Sequence, residues 1–430
     1  MKKLIIKPVK KISGTIIVPA DKSISHRAVM FGSIAEGTTQ IKNFLNAEDC
    51  MRTVDAFRQM GIEIEVGRGT ARRAPTVLIH GKGLNGLKKP AKSIYCGNSG
   101  TTMRLLSGIL AGQNFKARLT GDKSLSGRPM ARITEPLRAM GAVVEGDKPP
   151  LAIKGNRLNT INYNSPVASA QVKSCVLLAG LYADGVTSVS EPSLSRDHTE
   201  RMLRLFGVNV KSEGLRVSVK GGQKLKAIDL TVPADISSAA FFIVAALIVK
   251  NSSLRIKSVG VNPTRTGILD ILLSMGADIK IKNKTKSPEP MADIIINSSN
   301  LKAVTIKLGV IPRAIDEFPV IMVAATQAKG TTKILGAKEL RVKETDRIKS
   351  MSEGLKRMGV DIKVAGDDIF ITGPTKLKAA SLSSLGDHRT AMAFAVAGLV
   401  AEGKTSILDT ECILTSFPSF GKILSKISRY

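Results

Sequence analysis

The stretch Val18-Pro19-Ala20-Asp21-Lys22-Ser23-Ile24-Ser25-His26-Arg27 combines a cap, a lysine, a hydroxyl and an arginine at helical spacing. Asp21 or Ser23 suits a helix N-cap ahead of the apolar run that begins at Ala28. Free N–H groups and the positive end of the dipole point out of such a terminus, toward a phosphate or carboxylate. Arg27 follows Ser23 by one turn on the same face, so Lys22, Ser23 and Arg27 converge on one anion.

The design recurs. Asn98-Ser99-Gly100-Thr101-Thr102 opens an apolar run with small residues that let a ligand approach the backbone. Arg128 stands before Pro129, read as the first residue of a helix, and can fork onto a carboxylate or phosphate. Ser169-Ala170-Gln171 opens another helix, and Arg196-Asp197-His198 follows. Ser169, Gln171 and Arg196 offer partners for hydroxyls and a phosphate, while His198 reads better as a capping or packed histidine than as a base. Downstream, Asp316-Glu317-Phe318-Pro319 precedes a buried run. Lys343-Glu344-Thr345-Asp346-Arg347 is read as entering a helix from about Glu344, and Asp387-His388-Arg389 opens a last one. In this positive setting Asp316 and Glu344 are the candidate acid and base.

These segments need elements to hold them, and the chain supplies six copies of one unit. Five copies end in Met60-Gly61, Met140-Gly141, Phe206-Gly207, Met275-Gly276 and Met358-Gly359, each followed by a β-branched run. Those runs are Ile62–Val66, Ala142–Glu145, Val208–Val210, Ala277–Ile281 and Val360–Val364. Glycine after the last helical turn fits a left-handed C′ position. The period of roughly 65–85 residues is too long for the common helical solenoids, and alternating strands and helices make the class α/β. Val18-Pro19-Ala20-Asp21 is echoed by Val232-Pro233-Ala234-Asp235. Read as two crossings, these divide the chain into a lobe of residues 1–19 with 235–430 and a lobe of 20–234, three repeats each. Two crossings form a hinge that permits closure on a ligand.

The formal charge of +29 raises nucleic acid as a partner. The lysines are scattered singly, however, and with 4% aromatics and no Trp the chain has few stacking platforms. Steering of an anionic small substrate uses the same field better. The apolar runs Ala239–Val249 and Ala391–Val400 are too short to span a bilayer and read as buried helices. Cys50, Cys96, Cys175 and Cys412 show no metal-like spacing, and the opening residues lack a signal-peptide run, so a cytoplasmic protein is expected. The sequence presents no evident metal-ligand cluster.

The motifs Asp-Lys-Ser-x-Ser-x-Arg, Asn-x-Gly-Thr, Arg-Pro-Met, Ser-Ala-Gln, Arg-Asp-His-Thr-Glu, Asp-Glu-Phe-Pro, Leu-Arg-x-Lys-Glu-Thr-Asp-Arg and Asp-His-Arg-x-Ala-Met run in order between Ser13 and Phe420. In these motifs the chain closely resembles the 5-enolpyruvylshikimate-3-phosphate synthases, the 3-phosphoshikimate 1-carboxyvinyltransferases. The resemblance implies a two-lobed inside-out α/β barrel of six βαβαββ units and a shikimate-pathway transferase acting on phosphoenolpyruvate on the way to chorismate and the aromatic amino acids. By position, Lys22, Ser23, Arg27, Ser169, Ala170, Gln171, Arg196, Asp316 and Lys343 would meet shikimate 3-phosphate. Lys22, Asn98, Gly100, Thr101, Arg128, Gln171, Arg347 and Arg389 would meet phosphoenolpyruvate. Ala170 replaces a serine, and Thr415 a lysine, found in many members.

The reaction implied protonates carbon 3 of the enol, assigned to Glu344 with Lys22 as alternative donor. Carbon 2 is then attacked by the 5-hydroxyl of shikimate 3-phosphate, whose proton goes to Asp316. No cofactor and no metal are called for, and a monomer is expected, without nucleic-acid or membrane partners. Members that tolerate glyphosate, a competitor of phosphoenolpyruvate, often carry Ala where this chain has Gly100, whereas Leu105 replaces a proline of many sensitive members. Sensitivity is expected. Two other readings are a UDP-N-acetylglucosamine enolpyruvyl transferase, whose family usually has Lys-Asn in place of Lys22-Ser23 and a loop cysteine, and a basic nucleic-acid-binding repeat protein.

Overall fold

The computed structural model describes residues 3–67 and 75–430. The chain forms two compact units, Met1–Pro19 with Pro233–Tyr430, and Ala20–Val232. The second division thus falls two residues ahead of the boundary read from the repeated Val-Pro-Ala-Asp.

Each unit is α/β, with helices buried behind strands. In the Ala20–Val232 unit the helices Lys22–Ile34, Gly100–Ala111 and Ala170–Gly180 are buried beyond their first turns, the half-buried Arg104 excepted. They carry apolar and small residues on every side, as helices enclosed all round must. Gly108 allows the closest approach: a Cβ there would lie 2.2 Å from the Cys175 carbonyl oxygen. Three sheets cover these helices with one pairing scheme. Ile94–Tyr95 runs parallel to Lys116–Thr120, which pairs antiparallel with Leu151–Lys154, and that in turn with Val143–Glu145. Asn162–Asn164, Val186–Ser190, Arg216–Lys220 and Val210–Glu213 repeat the order. In the first repeat the parallel place beside Ala35–Lys42 is filled from the far end of the unit, by Leu225–Lys226 and Asp229–Thr231.

The other unit repeats the plan around the helices Ile236–Ile248, Phe318–Thr326 and His388–Gly398. Lys11–Ile16 lies parallel to Ser253–Gly260, and Thr305–Ile306 to Gly330–Ile334. The last sheet has Ser381–Ser383 parallel to Thr405–Leu408, whose antiparallel partner is Lys3–Ile6. No helix among the described residues is long and apolar enough to cross a membrane.

The five glycine-ended helices close alike. Gly61, Gly141, Gly207, Gly276 and Gly359 all have φ between 83° and 96°. At the first, the Gly61 N–H donates to the Arg58 carbonyl and the Ile62 N–H to the Phe57 carbonyl. The other four repeat this pair of bonds, which defines a Schellman close. Because the residue after each glycine seals the helix, the strands begin later than their β-branched composition suggests. They start at Glu63, Val143, Val210, Asp278 and Asp361.

Candidate active site

The helix starts of the Ala20–Val232 unit are held by side chains that also link them to one another. Asp21, not Ser23, caps the first helix, accepting the Ile24 N–H at 2.9 Å. The Lys22 ammonium lies 2.8 Å from Asp49. Arg27 is only 3% exposed. Its guanidinium donates to the Ser23 carbonyl at 3.0 Å, to Thr199 Oγ1 at 2.7 Å and to Ser174 Oγ at 2.9 Å. It therefore stands beside Ser23, as the spacing requires, while also bracing two further helices. His26 Nδ1 meets Thr53 Oγ1 at 2.7 Å, Thr53 meets Thr102 at 2.8 Å, and Thr102 donates to Ser99 Oγ at 2.8 Å. Ser99 caps the Gly100 helix through the Thr102 N–H. This chain of hydroxyls connects the first two helix starts.

Asn98 bridges Asp122 and Arg128: its Nδ2 donates to Asp122 at 2.8 Å and its Oδ1 accepts from Arg128 Nη2 at 2.7 Å. Arg128 precedes a helix that begins at Ala131, two residues past the expected start at Pro129, with Met130 at the N-cap. Gln171 is clamped, its Nε2 donating to Thr101 Oγ1 at 3.0 Å and its Oε1 accepting from Arg104 at 2.7 Å. Ser169 caps the helix that starts at Ala170, through the Val172 N–H. Arg196 lies in the partly exposed turn before the helix His198–Leu205, and His198 is buried at that helix's first position.

The Pro233–Tyr430 segment gathers a second cluster. Arg347 is 1% exposed and surrounded by carboxylates. Its guanidinium lies 2.8 Å from Asp387, 2.7 Å from Glu344 and 3.5 Å from Asp316. Arg389 lies 3.6 Å from the Asp316 carboxylate and donates to the Asp316 carbonyl at 3.2 Å. Burial works against the Arg347 charge, yet Asp387, Glu344 and Asp316 together raise its pKa. Burial pushes the Asp387 carboxyl upward, but the Arg347 charge, His388 and the hydrogen bond from Arg347 together outweigh it and leave it below the usual carboxylate range. Asp346, not Glu344, opens the helix Arg347–Arg357, because its carboxylate accepts the Lys349 N–H. Lys343 and Glu344 therefore lie in the turn ahead of that helix rather than on its face. Thr415 turns its hydroxyl to the Cys412 carbonyl at 2.7 Å, within a 3-10 turn.

Sequence reasoning missed Asp387, Asp49 and Arg104. Each is recognised by a partner tens of residues away, although Asp387 also shows itself locally as the cap that accepts the Arg389 N–H at 2.8 Å. It also missed a possible ligand cluster. Glu63, Glu65 and His80, on paired strands, hold donor atoms within 4.8 Å of one another at the surface. Burial pushes the thiols of Cys96 up to about 12 and of Cys412 up to about 11, so neither is a thiolate near neutrality.

Duplicated α/β repeats whose helix starts carry lysine, arginine and small residues define an enzyme class that grips small multiply charged anions. A family model described as EPSP synthase (3-phosphoshikimate 1-carboxyvinyltransferase) matches residues 6–424, and the chain belongs to that family. It is 54% identical over 432 residues to a 3-phosphoshikimate 1-carboxyvinyltransferase of Citrifermentans bemidjiense, covering 99% of both chains. It is 52% identical over 429 residues to the protein of the same name in Brevibacillus brevis, again covering 99% of both. The solved EPSP synthase of Acinetobacter baumannii superimposes with a TM-score of 0.89 at 48% identity, covering 100% of this chain and 98% of that one.

Proposed function

We propose that this enzyme transfers the enolpyruvyl group of phosphoenolpyruvate to the 5-hydroxyl of shikimate 3-phosphate and releases phosphate. The observation that carries the reading is family membership over nearly the whole chain, joined to the Arg347 cluster with its three carboxylates. Lys22, Ser23, Arg27, Ser169, Ala170, Gln171, Arg196, Asp316 and Lys343 take shikimate 3-phosphate. Lys22, Asn98, Gly100, Thr101, Arg128, Gln171, Arg347 and Arg389 take phosphoenolpyruvate, and glyphosate competes with it there.

The Arg347 cluster also arms the acid. Glu344 pairs with Arg347 at 2.7 Å, a contact that favours its ionised form. The carboxylate and phosphate of phosphoenolpyruvate compete for Arg347 and Arg389. As they take over those arginines, Glu344 loses its counter-charge and binds a proton more readily. It then delivers that proton to carbon 3 while positive character grows at carbon 2. The 5-hydroxyl attacks carbon 2 and yields its proton to Asp316, which the same exchange has released from Arg347 and Arg389. The tetrahedral adduct then returns a proton from its carbon 3 methyl group to Glu344 as the bond from carbon 2 to the phosphate oxygen breaks, which restores the double bond. The departing phosphate takes up the proton held by Asp316, and the arginines and Lys22 hold its remaining charge.

Mixing the enzyme with both substrates and measuring inorganic phosphate tests the reading. Release that requires both is the expected result. No release from this pair, or release with UDP-N-acetylglucosamine as acceptor instead, would overturn it.

A further inference from the structure

Away from the side chains assigned to substrate, the Ala20–Val232 unit buries a lysine between two glutamates. Lys173 Nζ lies 2.8 Å from Glu191 Oε2 and 2.8 Å from Glu200 Oε1, with all three side chains at most 3% exposed. Burial lowers the lysine pKa, but Glu200 and Glu191 outweigh it, so the ammonium stays charged. Such a triad is a poor choice for stability alone, since well-packed apolar residues of similar volume often do as well or better. What distinguishes it is what Glu191 holds besides the lysine. Its Oε1 accepts the backbone N–H of Ser169 at 2.8 Å, and its Oε2 accepts the Ser195 hydroxyl at 2.7 Å. Ser169 caps the helix that carries Gln171, and Ser195 directly precedes Arg196. One carboxylate therefore fixes two segments, far apart in sequence, that both carry side chains assigned to shikimate 3-phosphate. Glu200 binds the same lysine, but its Oε2 has no hydrogen-bond partner and it holds neither segment.

We infer that Glu191, held by Lys173, is a positioning residue that sets the Ser169–Gln171 helix start and the Arg196 turn in register for shikimate 3-phosphate before it arrives. Preorganisation of this kind matters because groups that bind one ligand must stand within about 0.5 Å of their working places. Glutamine at 191 keeps the shape but offers one acceptor oxygen where three donors, the Ser169 N–H, the Ser195 hydroxyl and the Lys173 ammonium, now share two.

The inference rests on the proposed reaction, so the unmodified enzyme is measured first. If it neither binds shikimate 3-phosphate by calorimetry nor releases phosphate from the substrate pair, the reaction itself is wrong. If it does, Glu191→Gln should raise both the dissociation constant and the KM for shikimate 3-phosphate about tenfold, leaving kcat and the phosphoenolpyruvate KM within about twofold. Glu200→Gln removes an equally buried carboxylate from the same lysine and should leave the shikimate 3-phosphate KM within about twofold, even if Tm falls. Should Glu191→Gln fail to fold, Ser195→Ala removes only the hydroxyl bond and should raise that KM about threefold. The inference is overturned if Glu191→Gln, or failing that Ser195→Ala, leaves the shikimate 3-phosphate KM unchanged, or if Glu200→Gln raises it as much as Glu191→Gln does.

Discussion

Gly100→Ala tests the anion-gripping reading at one atom. The glycine opens the helix Gly100–Ala111, and its φ is not left-handed, so the backbone accepts alanine. Space is the constraint. The added Cβ would stand 2.9 Å from Arg104 Nη1 and 3.4 Å from Arg128 Nη1. The second distance is tight and the first is too short, so the Arg104 guanidinium must move by about half an ångström to restore an ordinary contact. Arg104 donates to Gln171 Oε1 at 2.7 Å, so the shift reaches Gln171 as well. Loosening that bond without breaking it forfeits part of the roughly 1.5–3 kcal/mol of a charged hydrogen bond, so the phosphoenolpyruvate KM should rise by about tenfold. Glyphosate is longer than phosphoenolpyruvate and, in the proposed site, would meet the methyl itself. A misfit of one methylene's size is worth ~1–3 kcal/mol, or about 10–200-fold. Steady-state phosphate release should therefore show the glyphosate inhibition constant rising several times more than that KM. Adding Arg104→Lys, which removes the clashing fork, should restore part of the KM but none of the inhibition. An unmodified enzyme that works normally in millimolar glyphosate would refute the steric argument and point to the helix carrying Leu105. Equal changes in the two constants would place the methyl away from the inhibitor.

Other expectations follow from the charged clusters. Asp316→Asn and Glu344→Gln should each lower turnover by at least ~10²-fold, with substrate binding less affected, and near-normal turnover would remove that residue from the chemistry. Asp387→Asn leaves the buried Arg347 with only the partly exposed Glu344 and Asp316, so urea unfolding should report a loss of about 3 kcal/mol. A loss under about 1 kcal/mol would show that the remaining pairs suffice. His26 is buried, and burial lowers its pKa from 6.5 to about 3, with Asp49 opposing the shift and Lys22 and Arg27 adding to it. Between those values the unfolded chain holds a proton that the folded one lacks, so this contribution is full above 6.5 and is lost as pH falls toward 3. Against His26→Gln, the unmodified protein should lose up to about 1.4 kcal/mol more per pH unit below that point, and parallel slopes would contradict a neutral buried imidazole.

The repeat architecture was legible because five of the six copies carry a residue with a backbone requirement. A glycine such as Gly61 is forced by a positive φ whatever lies around it, and five of them at one period mark the copies. Helix starts such as Asp21 and Ser169 were legible for a similar reason, since a cap acts within three residues. What composition could not show was any contact between distant residues. Lys22 and Arg27 read as free cations aimed at a ligand, but Asp49 takes the first, while Thr199 and Ser174 take part of the second. Glu344 read as the start of a helix because Ile348, Met351, Leu355 and Met358 follow it at helical spacing, but Asp346 takes the cap by accepting the Lys349 N–H.

The pairing of Lys3–Ile6 with Thr405–Leu408 bears on how the chain is made. Emerging from a ribosome, Lys3–Ile6 waits for a partner about 400 residues downstream and Lys11–Ile16 for Ser253–Gly260, whereas Ala20–Val232 is continuous and has its own core as soon as it is complete. Synthesis should thus produce Ala20–Val232 folded first, with two strands, Lys3–Ile6 and Lys11–Ile16, left as unpaired edges until the rest arrives. Such edges are the usual seeds of misassembly in slow, high-contact-order folding. Stalled chains ending near residue 232 should resist protease over Ala20–Val232 and be clipped within the first nineteen residues, and protection of that leading segment at this stage would show that it finds a temporary partner.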